Sequence, residues 1–184
     1  IYMLFNGQGK GRMKRSGGSR PTSEFKICVW SNGEAGAESK IQESKRNKTY
    51  NAGQAVRLME IPADAGQGFG IFETLHRFKD GKEFLTHLKK MASKYCGTLG
   101  DAWLTQLTKH KEETLRLIED YERKFIEETP LEDNPNGQVE RARGHFALMA
   151  GCLEVAIEIG IIPLGKGNGI KACQILLNAW IGQR

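Results

Sequence analysis

Gly53-Gln54-Ala55-Val56-Arg57-Leu58-Met59-Glu60-Ile61 is the segment on which the choice of fold class turns. Val56, Leu58 and Ile61 are its apolar positions, and Pro62 closes it, as proline does at the end of a strand. Asn51-Ala52-Gly53 reads as the turn before it, so residues 54–61 are expected to form a strand. Upstream, residues 25–31 alternate weakly and hold the strand formers Phe25, Ile27, Val29 and Trp30, which predicts a second strand ended by Asn32-Gly33-Glu34-Ala35-Gly36. Between the two, residues 38–48 read as a polar surface helix. Ile1-Tyr2-Met3-Leu4-Phe5 reads as the end of an apolar element. Two strands alone do not make a stable sheet. Their partners are therefore expected before Ile1, and the chain reads as the back part of something larger.

Beyond Gly66, Gly68 and Gly70, which make a mobile loop, the apolar spacing turns helical from about residue 72. Phe84, Leu85, Leu88 and Met91 predict one amphipathic helix. Trp103, Leu104, Leu107, Leu115, Ile118, Tyr121 and Phe125 recur every three or four residues and predict a single long helix with a charged outer face. Residues 130–137 break it. A third helix is expected over 138–159, stopped by Gly160 and Pro163, and a last one over 170–181 after the glycines at 165, 167 and 169.

The first 24 residues carry the clearest chemical signal. Asn6-Gly7-Gln8-Gly9-Lys10-Gly11-Arg12 is followed by Lys14, Arg15 and Arg20, and no acidic residue precedes Glu24. Residues 6–24 read as a loop or irregular hairpin. Glycines let a backbone approach phosphate oxygens closely, and Lys and Arg supply the charge. The whole chain has 184 residues, 39% of them hydrophobic, and a net charge of +5, with a pI near 9.0. A local excess of this kind favours a polyanionic partner. No run approaches the length of a membrane-spanning helix, and no secretory leader pattern is present. Cys28, Cys96, Cys152 and Cys173 form no Cys-x-x-Cys pair and fit free thiols in a reducing compartment, hence a cytoplasmic location. The four histidines lack metal-ligand spacing.

Ser31 and Asn32, at the expected carboxyl end of a strand, stand where open α/β sheets place ligands; a plain strand-ending turn is the alternative. Arg57, inside an apolar run, requires either a core carboxylate or a phosphate. Asp64 and Glu73 are a carboxylate pair only by nearness in sequence. The GxxxxGK[ST] pattern of a nucleotide-binding P-loop does not occur, since Lys10 is followed by Gly11. Hydrolysis of a nucleotide by this chain alone is not expected.

Together these residues resemble one family, the P-loop ATPase/helicase-like class called domain of unknown function nine-two-seven, found in phage and mobile-element proteins. Residues 2–12 (YMLFNGQGKGR) resemble its segment after the Walker B strand, and residues 31–34 (SNGE) its Ser-Ser/Thr-Gly-Glu strand end. Residues 52–64 (AGQAVRLMEIPAD) resemble its Ala-Gly-Gln-x-Val-Arg-Leu strand. Residues 138–151 (QVERARGHFALMAG), 158–163 (EIGIIP) and 180–184 (WIGQR) are similar to its helical tail, although Arg143-Gly144-His145 departs from the usual Ala-x-Arg.

The resemblance implies an α/β to α+β fold: the C-terminal part of a RecA/AAA+-like core over 1–71, lacking Walker A and Walker B, then a helical lid over 72–184. It implies a parent ATPase that uses ATP and Mg and acts on DNA in phage or mobile-element replication. Its expected partners are single-stranded DNA, further copies in a ring-shaped homo-oligomer, and a primase. Ser31 and Asn32 would be its sensor, and Arg57 and Arg141 its trans-acting or lid arginines. Lys10, Arg12, Lys14, Arg15 and Arg20 would contact DNA. A non-catalytic DNA-binding or assembly module, and a scaffold that binds only protein, are the alternatives.

Overall fold

The computed structural model describes residues 5–43, 52–131 and 136–183, and these divide between two compact units, residues 1–60 and 61–184. The expected end of an apolar element at residues 1–4, the last part of the polar helix (44–48) and Asn51 lie outside the described residues.

The first unit holds a hairpin over residues 7–25, a short helix α1 (Ala37–Glu43) and a single helical turn α2 (Ala52–Ala55). The Glu60 carboxylate accepts from the backbone N–H of Ala37, the first residue of α1. Unsatisfied N–H groups at a helix start are natural partners for an anion, so this contact ties the end of the unit to its middle.

The expected α/β to α+β fold, the C-terminal part of a RecA/AAA+-like core, is corrected here: every named element is a helix, and among the described residues strand pairing is limited to two isolated bridges inside the hairpin. Residues 54–61 do not form a strand. Ala52 to Ala55 turn helically, and the N–H of Leu58 donates to the carbonyl of Gln54 at 2.9 Å, an i to i−4 bond. Residues 26–33 are neither helical nor paired. Strand propensity reports how a side chain packs on a sheet that already exists, not a backbone preference strong enough to act alone.

The second unit is helical: α3 (Gly81–Lys94), α4 (Thr98–Lys109), α5 (Lys111–Glu128), α6 (Gly137–Glu158) and α7 (Asn168–Ile181). Asp80 caps α3, its side chain accepting from Glu83 N–H at 2.8 Å, while Glu83 accepts from Lys79 N–H at 3.2 Å. Phe84 of α3 packs on Phe72 and Phe78 with ring centroids 4.7 and 5.2 Å apart. The single long helix expected from Trp103 to Phe125 is instead two helices. The break falls at His110, which ends α4 through an N–H bond to Gln106 and opens α5. Neither Gly nor Pro marks it, so the apolar spacing runs through.

The core lies among α5, α6 and α7. Ile118 and Phe125 face it from α5, Phe146, Ala147, Ala150 and Val155 from α6, and Ile170, Cys173, Leu177 and Trp180 from α7, all buried. The last four follow the three-and-four spacing of a helix face. Gly151 lets α5 and α6 approach closely: a Cβ there would lie 2.8 Å from the carbonyl oxygen of Ile118. Gly160, at φ +77°, ends the turn after α6, and the N–H groups of Ile161 and Ile162 return to the carbonyl of Ala156.

Two carboxylates bind this bundle together. Glu154 is fully buried, and its oxygens accept from Gly167 N–H at 2.9 Å and Ile170 N–H at 3.0 Å. It therefore caps α7 from the neighbouring helix, since Gly167 has no side chain with which to do so. Glu158 accepts from Tyr121 Oη at 2.9 Å and from Lys166 Nζ at 2.7 Å. Its pKa is lowered, first by the Lys166 bond and then by the Tyr121 bond. Burial, followed by the bond to Glu158, pushes the Tyr121 phenol up to about 12. Burial and then the charge of Glu154 push the Cys173 thiol up to about 11.

Candidate nucleic-acid interface

The basic loop is an ordered antiparallel hairpin. Phe25 N–H donates to Gly7 O, Gly9 N–H to Ser23 O, Arg20 N–H to Arg12 O and Lys14 N–H to Gly18 O, each at 2.8 Å. Bridges pair Gln8 with Glu24 and Met13 with Ser19. The bonds and bridges share one register. Glycine is required at two places. Gly7 has φ +67°, and a Cβ there would sit 2.5 Å from the carbonyl oxygen of Phe25. Gly17 and Gly18, at φ +85° and +83°, form the reversal that an L side chain resists.

This register sets Arg12 directly opposite Arg20. Alternation along the strand adds Lys10 and Lys14 to the same face, and Arg15 follows at the turn. Gly9, Lys10, Arg12, Arg20, Pro21 and Ser23 line one open recess. The basic side chains are exposed, and among the described residues no ion pair with a carboxylate engages them. Like charges directly across a strand pair are destabilising, and an anion between them removes that cost. The chain carries 27 Lys and Arg against 22 Asp and Glu. The five hairpin cations equal in number the chain's positive excess of five.

The remaining expected site residues lie in separate elements of the chain. Ser31 and Asn32 are exposed in the unpaired segment after the hairpin. Arg57 is exposed, not buried in a core, and its Nη1 donates to the carbonyl of Gly53 at 2.9 Å, one helical turn back. Arg141 is exposed on α6 in the other unit. Asp64 accepts from the N–H of Gly66 at 2.9 Å as a local turn, and no bond joins it to Glu73. Among the described residues no group of three or more His, Cys, Asp and Glu side chains is placed to hold a metal ion, and no helix is long and apolar enough to cross a membrane.

Sequence reading missed one residue beside this site. Trp30, placed on an expected strand, is 89% exposed. Strand patterning hid it, because an aromatic ring in an alternating run reads as core.

No protein-family model, curated protein or solved structure matches the chain.

Proposed function

We propose that this chain contacts the phosphate backbone of single-stranded DNA through its basic hairpin, as the DNA-contacting part of a helicase-like ATPase of phage or mobile elements. The single observation that carries the first half is the cross-strand pairing of Arg12 with Arg20, flanked on one face by Lys10 and Lys14, with the hairpin's one acid, Glu24, at its far end opposite Gln8. Such a face is complementary to successive phosphates and indifferent to base identity. The second half is supported by the resemblance of residues 2–12, 31–34 and 52–64. On that reading ATP and Mg are held outside this chain, whose sequence has no P-loop. Ser31, Asn32, Arg57 and Arg141 then act on nucleotide only within a larger assembly, a ring of copies with a primase partner.

The test is the salt dependence of binding to a single-stranded oligonucleotide. Four phosphate contacts give a slope of about −3 in log affinity against log salt, at about −0.7 per contact for single strands. Arg12→Ala with Arg20→Ala should reduce that slope by about 1.4 and weaken binding to every sequence alike. An unchanged slope in the double variant removes the hairpin as the DNA contact.

A further inference from the structure

Trp30 is 89% exposed, whereas Trp180 is 4% exposed and Trp103 is half-buried. Fully exposed tryptophan is uncommon, because no other side chain has more apolar surface to hide. Residues 26–33 form no backbone hydrogen bond among the described residues, and the segment is neither helix nor strand. Trp30 is five residues beyond Phe25, whose N–H closes the hairpin on Gly7. Five residues span at most about 17 Å. Arg20 lies a further five residues back, so Trp30 stands at most about 36 Å from the basic face, within the reach of a short single strand, in the same compact unit. Phe5 and Phe25, the other described rings of the unit, are less exposed.

We propose that Trp30 is a base-stacking residue, whose indole lies against a nucleobase of the single strand that the hairpin holds by its phosphates. This rests on the reading of the hairpin as a phosphate contact. Charge selects the partner: five cations and no acid in the first 23 residues draw a polyanion, and an apolar protein surface would gain nothing from them. A single strand offers the ring what a duplex hides, the open face of a base. Cationic grooves with interleaved aromatic rings bind single strands in this way without reading sequence, because every base has a π-face.

The test compares oligothymidylate with inorganic polyphosphate, which has the charge and lacks the bases. Oligothymidylate should quench the indole emission, and the quenching should be lost in Trp30→Phe, where Trp103 and Trp180 report alone. Trp30→Ala should weaken oligothymidylate binding by about 5- to 100-fold, the range that stacking on one base supports, and leave polyphosphate binding unchanged. Trp30→Phe should retain most of the affinity. If Trp30→Ala binds oligothymidylate as tightly as the parent chain, with the hairpin's salt slope intact, stacking is refuted and the phosphate contact stands. If Trp30→Ala weakens both ligands equally, the ring supports the hairpin fold and the proposal is likewise refuted. If neither ligand binds the parent chain, the hairpin reading itself fails.

Discussion

Replacing Glu154 tests how the last two helices are joined. Its two oxygens accept from Gly167 N–H and Ile170 N–H, and the residue is fully buried. In Glu154→Ala both donors lose their acceptor. Gly167 is exposed, so water replaces the carboxylate there at little cost. Ile170 is 3% exposed, and its N–H is left unsatisfied, which costs about 1–3 kcal/mol. The removed side chain also leaves a cavity, which adds a further loss of about 1 kcal/mol. Relief from burying a charge offsets part of the sum. The expected net loss is about 1–3 kcal/mol. Glu154→Gln keeps the shape and one acceptor, but turns an amide N–H₂ toward the second donor, so about half the loss is expected. Guanidinium unfolding followed by far-UV circular dichroism measures both. Parent, glutamine and alanine variants should rank in that order. An alanine variant within about 0.5 kcal/mol of the parent would show that water serves Ile170 as well and that the carboxylate is no clasp.

Two further outcomes are expected. Tyr121 should ionise late, near 12. Its folded pKa lies above the usual value of about 10, so the stability it contributes is complete below pH 10 and declines as the pH rises towards 12. Ultraviolet titration should show this step moving down in Glu158→Gln, and a tyrosine spectrum unchanged by that variant would refute the coupling. On the ATPase reading proposed above, Arg57→Lys and Asn32→Ala in the full assembly should lower ATP turnover more than ATP affinity, as expected when a group that contacts the transferring phosphate is lost. Normal turnover in either variant removes that residue from the mechanism.

The helices from Gly81 onward were legible because their apolar spacing and their stops are local. Gly160 with Pro163 marks one end, whereas the Asp80 cap that starts another helix was not read. The break at His110 was not legible, since the same spacing continues on both sides of it. The two expected strands failed for a reason of scale. A strand exists only with neighbours, and the pattern of Phe25 to Ser31 says nothing of whether a neighbour is there. Arg57 was misplaced with its strand: once residues 52–58 turn helically, its guanidinium reaches Gly53 and faces water. The hairpin cations were legible as a cluster, but their arrangement on one face follows from a register that only the backbone pairing shows. Glu154 gave no signal at all, because a carboxylate that caps a distant helix looks in sequence like any acid on a helix surface.

Charge in this chain is also a matter of colloidal behaviour. With the five hairpin cations set aside, the rest of the chain balances its basic residues against the 22 acidic ones. The largest local excess of positive charge in the sequence therefore lies in one small hairpin, and net charge of one sign opposes association between copies. Whatever neutralises that hairpin brings the whole chain to its isoelectric condition, where self-association meets the least resistance. A polyanion that paired with those five cations would lower the chain's net charge of +5 and with it the repulsion between copies.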